Sequence, residues 1–192
     1  MSIHQIPVVV GYDFSHSGHA ALQRAVQLAA RAPEHVLHVV CVVDPRHPIP
    51  SIASYRGVDE VYAARVQEAL AFEVHAELER IEVPHRVHFF VHARIGKPTS
   101  EILSLAREVA AQLIVVGSHG LTGVERFVIG STSEHVVREA TCTVEVARSG
   151  HHPDPRPLPA SQIERGRLYV APHHYEYEDH RVQLRPMDWP LG

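Results

Sequence analysis

Leu113-Ile114-Val115-Val116-Gly117-Ser118-His119-Gly120-Leu121-Thr122-Gly123-Val124-Glu125-Arg126-Phe127-Val128-Ile129-Gly130-Ser131-Thr132 reads as three pieces in succession. An apolar, largely β-branched run stops at Gly117 and has the character of a buried strand. A glycine-spaced loop follows. Ser131-x-x-Glu134 then has the form of a capping box, predicting a helix from Ser131 to Ala140. The start of a helix exposes unpaired N–H groups and the positive end of its dipole, which suits phosphate. Glycines at 117, 120 and 130 let the backbone approach a ligand closely. The hydroxyls of Ser131 and Thr132 and the charge of Arg126 would add to such a site. Taken alone, the same residues also describe a tight turn between a strand and a helix.

Outward from this stretch, the alternation repeats over residues 6–147. Short apolar runs at Pro7–Gly11, Val36–Val43, Val87–Val91, Leu113–Val116 and Val144–Val146 read as strands. Helical patterns stand between them. Ala20–Ala30 follows Ser15 and Ser17, which suit a helix start. Val58–Ile81 places Val58, Val61, Tyr62, Val66, Ala69, Leu70, Val74, Leu78 and Ile81 on one stripe. Pro98 opens a third helix extending to Ala111. The order βαβαβαβαβ with near-continuous apolar strands predicts a parallel sheet covered on both faces, joined by right-handed crossovers. Ligands of such open, doubly wound sheets bind at the carboxyl ends of the strands, where the strand order reverses.

Two nucleotide motifs are missing. No loop ends in Gly-Lys-Ser/Thr, and Lys97 lies in a different crossover. Gly11-Tyr12-Asp13-Phe14-Ser15 lacks the glycine spacing of the dinucleotide fingerprint.

Composition narrows the function classes. The net charge of −4 offers no basic field for nucleic acid. Cys41 and Cys142 sit far apart in apolar runs and read as small buried hydrophobes. No charged-then-apolar leader opens the sequence and no apolar run reaches a membrane span, so a cytoplasmic protein is expected. The 17 histidines are read as scattered surface groups; a pH sensor would need them gathered at an interface.

With these motifs assembled, the sequence resembles the universal stress proteins. Gly117, Gly120, Gly130 and Ser131 match the family's spacing of glycine, two residues, glycine, nine residues, then glycine and serine or threonine. Gly11–Ser15, Gly96-Lys97-Pro98 with Glu101-Ile102-Leu103, and Leu113–Gly120 resemble other family segments. The resemblance covers about residues 4–148. It implies a Rossmann-like five-stranded parallel sheet of strand order 3-2-1-4-5 that binds ATP, with or without magnesium. By family analogy, Tyr12, Asp13 and Ser15 stand at the first strand's end, with Asp13 near the ribose and phosphates or their metal. The alternative for Asp13 is a cap of the following helix. Val42 would present backbone to the adenine edge. Val116, Gly117, Ser118, His119 and Gly120 would border the ribose and phosphates, and Gly130, Ser131 and Thr132 would hold the phosphates.

No catalytic residue is assigned. Asp13 and His119 are the candidates for a base, and neither has a compelling partner, so a stress-response binding module is expected rather than an enzyme. The alternative is a slow ATP hydrolase or nucleotidyl transferase. The resemblance also implies a homodimer through the last strand, Thr143–Val146, and an unidentified protein partner. Thr143 and Gln112 depart from the family pattern, at positions outside the expected ligand contacts.

Residues 149–192 form a Pro/His-rich extension beyond the 1–148 domain. Seven of the 14 prolines fall in the last 45 residues, and Pro153, Pro155, Pro157 and Pro159 alternate as in an extended linker. Arg167–Val170 and His173–Leu184 show strand-like alternation. His173, His174, Glu176, Glu178, Asp179 and His180 have a composition that binds zinc or nickel, but their spacing matches no defined site. Docking through Tyr169, Tyr175, Tyr177 and Trp189 is the favoured role.

Overall fold

The computed structural model describes residues 5–45, 49, 52, 57–81, 83–119 and 129–148, and the backbone of 174–178 and 181–185. The chain divides into two compact units, residues 1–149 and 150–192.

In the first unit, strands β1 (Ile6–Gly11), β2 (His35–Val43), β3 (His88–Ile95), β4 (Leu113–Gly117) and β5 (Thr143–Ala147) form one parallel sheet in the order β3-β2-β1-β4-β5. Helices α1 (His16–Arg31), α2 (Glu60–Glu79), α3 (Pro98–Glu108) and α4 (Ser131–Glu139) fill the crossovers. Successive strand residues point to opposite faces, so each central strand feeds two cores. Val8, Val10, Leu37, Val39 and Val115 meet Leu22, Val26, Val66 and Leu70 on the α1/α2 side. Val9, Val40, Ile114 and Val116 meet Ile102, Leu103, Leu105 and Val136 on the α3/α4 side. This double burial explains the near-continuous apolar residues of β1, β2 and β4.

Several boundaries differ from the sequence expectation. β3 continues past Val91 to Ile95. Phe89, Val91 and Ala93 pack on the α1/α2 core, whereas Phe90 on the opposite parity is exposed. As an edge strand it alternates apolar with polar, which a search for continuous apolar runs cuts short. α2 begins at Glu60, capped by Asp59, whose carboxylate accepts the Tyr62 N–H at 2.8 Å. Val61 is 64% exposed and off the buried stripe, which runs through Tyr62, Val66, Leu70 and Val74. α3 ends at Glu108 rather than Ala111, because Ala110 adopts φ +51°. The capping box does not form: Gly130 is the N-cap of α4, no side chain caps the helix, and Glu134 pairs with Arg138 one turn on.

In the second unit, β6 (His174–Glu178) and β7 (Arg181–Arg185) pair antiparallel, with Tyr175 opposite Leu184 and Tyr177 opposite Val182. The side chains of the histidine-acid cluster, the proline run, Arg167–Val170, Tyr169 and Trp189 lie outside the described residues.

Candidate functional site

Strands β1 and β4 are neighbours, and the chain leaves them in opposite directions across the sheet, to β2 on one side and to β5 on the other. A crevice opens at this switch point, above the carboxyl ends of the strands. It holds a cavity of about 330 Å³. Gly11, Tyr12 and Asp13 line it from β1, Val40 and Val42 from β2, Val116, Gly117 and His119 from β4, and Gly130 to Ser133 from the start of α4.

The turn after β1 is organised by Asp13. Its Oδ1 accepts the Ser15 N–H at 3.1 Å and the Ser15 hydroxyl at 2.5 Å. Ser15, not Asp13, is the N-cap of α1: its Oγ accepts the Gly18 N–H at 3.0 Å. A Cβ on Gly18 would stand 2.5 Å from Asp13 Oδ1, so glycine is needed where the helix meets the carboxylate. Phe14 between them takes φ +61°, an uncommon conformation for a bulky residue. It packs edge-on against Tyr12, with ring centroids 4.9 Å apart. Burial, reinforced by the Glu73 carboxylate, holds the Tyr12 phenol well above its ordinary pKa.

The β4 corner is stitched to α4. Ser118 donates its N–H to Ala147 O at 2.8 Å and accepts the Gly130 N–H at 2.7 Å. Ser133 Oγ donates to Gly117 O at 2.5 Å. Ser118 Oγ lies 3.0 Å from His119 Nδ1. With Gly130 as a cap that offers no side chain, the first N–H groups of α4 have no capping partner from it, and this uncapped end forms one wall of the cavity. Among the described lining residues, Asp13 is the one carboxylate, and none is Lys or Arg.

Of the residues singled out in the sequence, Tyr12, Asp13, Val42, Val116, Gly117, His119, Gly130, Ser131 and Thr132 share this cavity. Ser15 and Ser118 stand behind it as partners of Asp13 and His119. Gly120 and Arg126 lie outside the described residues. Sequence reasoning missed Gly18, Pro98, Ile102 and Ser133, which also line it. The spacing Ser15-x-x-Gly18 was a local signal. The α3 residues reach the cavity through the fold alone.

Comparison with known proteins gives one result throughout. The model of the universal stress protein family matches residues 7–148. A protein of Staphylococcus aureus (strain USA300) bearing the family's name is 35% identical over 153 residues, covering 76% of this chain and 86% of that one. Universal stress protein UspA from Lactobacillus plantarum superposes with a TM-score of 0.58 at 26% identity, over 77% of this chain and all of the other. A universal stress protein solved in complex with cAMP gives 0.54 at 26% identity, over 78% and 100% of the two chains. The match over residues 7–148 takes in all five strands of the parallel sheet but for Ile6, and the chain belongs to the universal stress protein family.

Proposed function

We propose that this chain is a nucleotide-responsive binding module that holds an adenine nucleotide, ATP by the family resemblance, in the cavity between β1 and β4. The uncapped N-terminus of α4 facing that cavity carries the reading, because its N–H groups and dipole complement a phosphate. Ser131 and Thr132 add hydroxyls beside it. The solved relative in complex with cAMP supports the adenine class. Asp13 is the carboxylate for the ribose. A magnesium ion accompanying ATP would take its remaining ligands from phosphates and water, as that ion commonly does.

A binding role is favoured over efficient hydrolysis. Hydrolysis needs a positioned base and charge stabilisation for the leaving phosphate, and Asp13 Oδ1 is already engaged by Ser15. Nucleotide occupancy would instead bias the 118–130 crossover between arrangements that a protein partner distinguishes. The test is to denature the purified full-length protein, identify any released nucleotide, and titrate the emptied protein with ATP. Micromolar affinity, about −8 kcal/mol, is expected. Release of no nucleotide together with no binding at millimolar ATP overturns the reading.

The sheet order leaves β5 at an edge, and unpaired edges favour pairing with another chain. A homodimer through β5 is proposed on that ground, with light scattering at concentrations well above micromolar as its check; a monomer there removes it. The extension beyond Arg148 is proposed to serve assembly or partner capture, so truncation there should leave ATP binding unchanged.

A further inference from the structure

Two histidines face each other on the sheet, and neither lines the cavity above β1 and β4. His38 of β2 and His92 of β3 share the face that carries α3, with Val40 on the first strand and Arg94 on the second. His38 Nδ1 lies 3.2 Å from His92 Nε2. The ring centroids are 5.4 Å apart and the planes differ by 25°. That separation exceeds the nitrogen gap by about two ring radii, so the rings meet edge to edge with these nitrogens between them. Phe90 stacks on His38 at 4.9 Å and holds that ring from one side. A hydrogen bond between the imidazoles uses one proton and one lone pair, and the same spacing also suits a metal ion. Zinc–imidazole bonds are about 2.0–2.1 Å long, so two nitrogens on one ion stand about 2.9 Å apart at a right angle and about 3.3 Å apart at the tetrahedral angle. The observed gap falls within that range, so the two strands need not move. A turn about the broad χ2 torsion of histidine aims both lone pairs at one point.

We propose that His38 Nδ1 and His92 Nε2 form a two-imidazole chelate for a divalent transition-metal ion of the class that favours imidazole, such as zinc, nickel or copper. Water fills the remaining positions, because no group of three or more His, Cys, Asp or Glu able to hold a metal occurs among the described residues. On binding, the proton of the imidazole–imidazole hydrogen bond passes to the far nitrogen of its own ring, so both rings stay neutral. The neighbouring Arg94 guanidinium does not leave this face positive, since it is offset by Glu108 at 2.5 Å and Glu101 at 3.6 Å. The ion clips the edge strand β3 to β2. This site is independent of the nucleotide reading.

The test titrates Zn²⁺ into tag-free, EDTA-stripped full-length protein at about pH 7.5, above the ordinary imidazole pKa, and follows the imidazole ¹⁵N shifts. His38 Nδ1 and His92 Nε2 should move together along one saturable curve. Mg²⁺, which takes oxygen ligands, should move neither. Losing a group that merely orients a metal ligand costs about ten- to hundred-fold in affinity, so losing one of two direct ligands should cost at least about tenfold. His92→Gln should weaken the His38 response by that factor, and His38→Gln the His92 response. If one variant does not fold the other carries the comparison, and the wild-type curves stand without either. Replacing three histidines of the extension together, His173→Gln, His174→Gln and His180→Gln, should leave both responses unchanged. Zn²⁺ should also raise the urea midpoint of wild type more than that of either sheet variant. No response of the two nitrogens at millimolar Zn²⁺, separate curves for the two rings, or an undiminished His38 response in His92→Gln overturns the proposal. Loss of both responses in the triple variant overturns it too, by moving the site to the extension.

Discussion

Gly117 lies so close to Ser17 that a Cβ on it would stand 2.5 Å from both the carbonyl carbon and the oxygen of the serine. The end of β4 and the first turn of α1 are thus in backbone contact, which only the absence of a side chain allows. Gly117→Ala should destabilise the protein by about 1–3 kcal/mol, because backbone rather than a flexible side chain must move. Urea unfolding monitored by circular dichroism checks this. An unchanged midpoint would show that α1 shifts freely at its start.

Gly130 behaves oppositely. Its φ of −60° and ψ of 149° suit any residue, so the fold has no conformational need for glycine there. Gly130→Val should still fold, at a cost of about 1 kcal/mol because valine is a poor N-cap, while losing nucleotide binding, because the branched side chain enters the phosphate space. Normal ATP binding by this variant would place the site elsewhere.

The edge of the sheet predicts a pH dependence. His38 Nδ1 lies 3.2 Å from His92 Nε2 across β2 and β3, and His38 stacks on Phe90. Burial lowers the pKa of both imidazoles, and for His92 the neighbouring His38 and Arg94 lower it further against a raising influence of Glu108. Below the ordinary imidazole pKa of about 6.5 the unfolded chain therefore binds more protons at these positions than the folded one. This contribution to stability is present above that pH and is lost as pH falls through it. Denaturant midpoints measured between pH 7.5 and 5.5 should drop in wild type and drop less in His92→Gln. An unchanged slope in that variant would assign the dependence to other histidines.

Turnover should be slow, below about 1 s⁻¹, the low end of ordinary enzymes. Phosphate release from ATP, measured in wild type and in Asp13→Ala and His119→Ala, checks this. Rapid release abolished by either substitution would make the protein an enzyme.

The doubly wound sheet was legible because Val8–Val10, Val36–Val43 and Leu113–Val116 are buried along most of both faces and carry a near-continuous apolar signature, broken only by His38. β3 was half legible, since its exposed face breaks that signature after Val91. The nine cavity residues named from the sequence sit in or beside segments where the backbone bends at a strand end, and glycine and hydroxyl residues mark those bends. Ile102 and Pro98 were not legible as site residues. Their place in the cavity follows from how α3 docks over β1, where Ile102 stands 3.1 Å from the position a Cβ on Gly11 would take. Gly130 as N-cap was hidden by the Ser131-x-x-Glu134 pattern, which has the right letters one position too late.

The bond from the Gly130 N–H to Ser118 O, 2.7 Å long, closes a ring of chain at its neck. Both partners of that bond are backbone groups, so the end of β4 stays tied to the start of α4 whatever side chains positions 118 and 130 carry, proline at 130 excepted. Side chains at these two positions can therefore be exchanged to reshape the cavity wall without untying the strand from the helix.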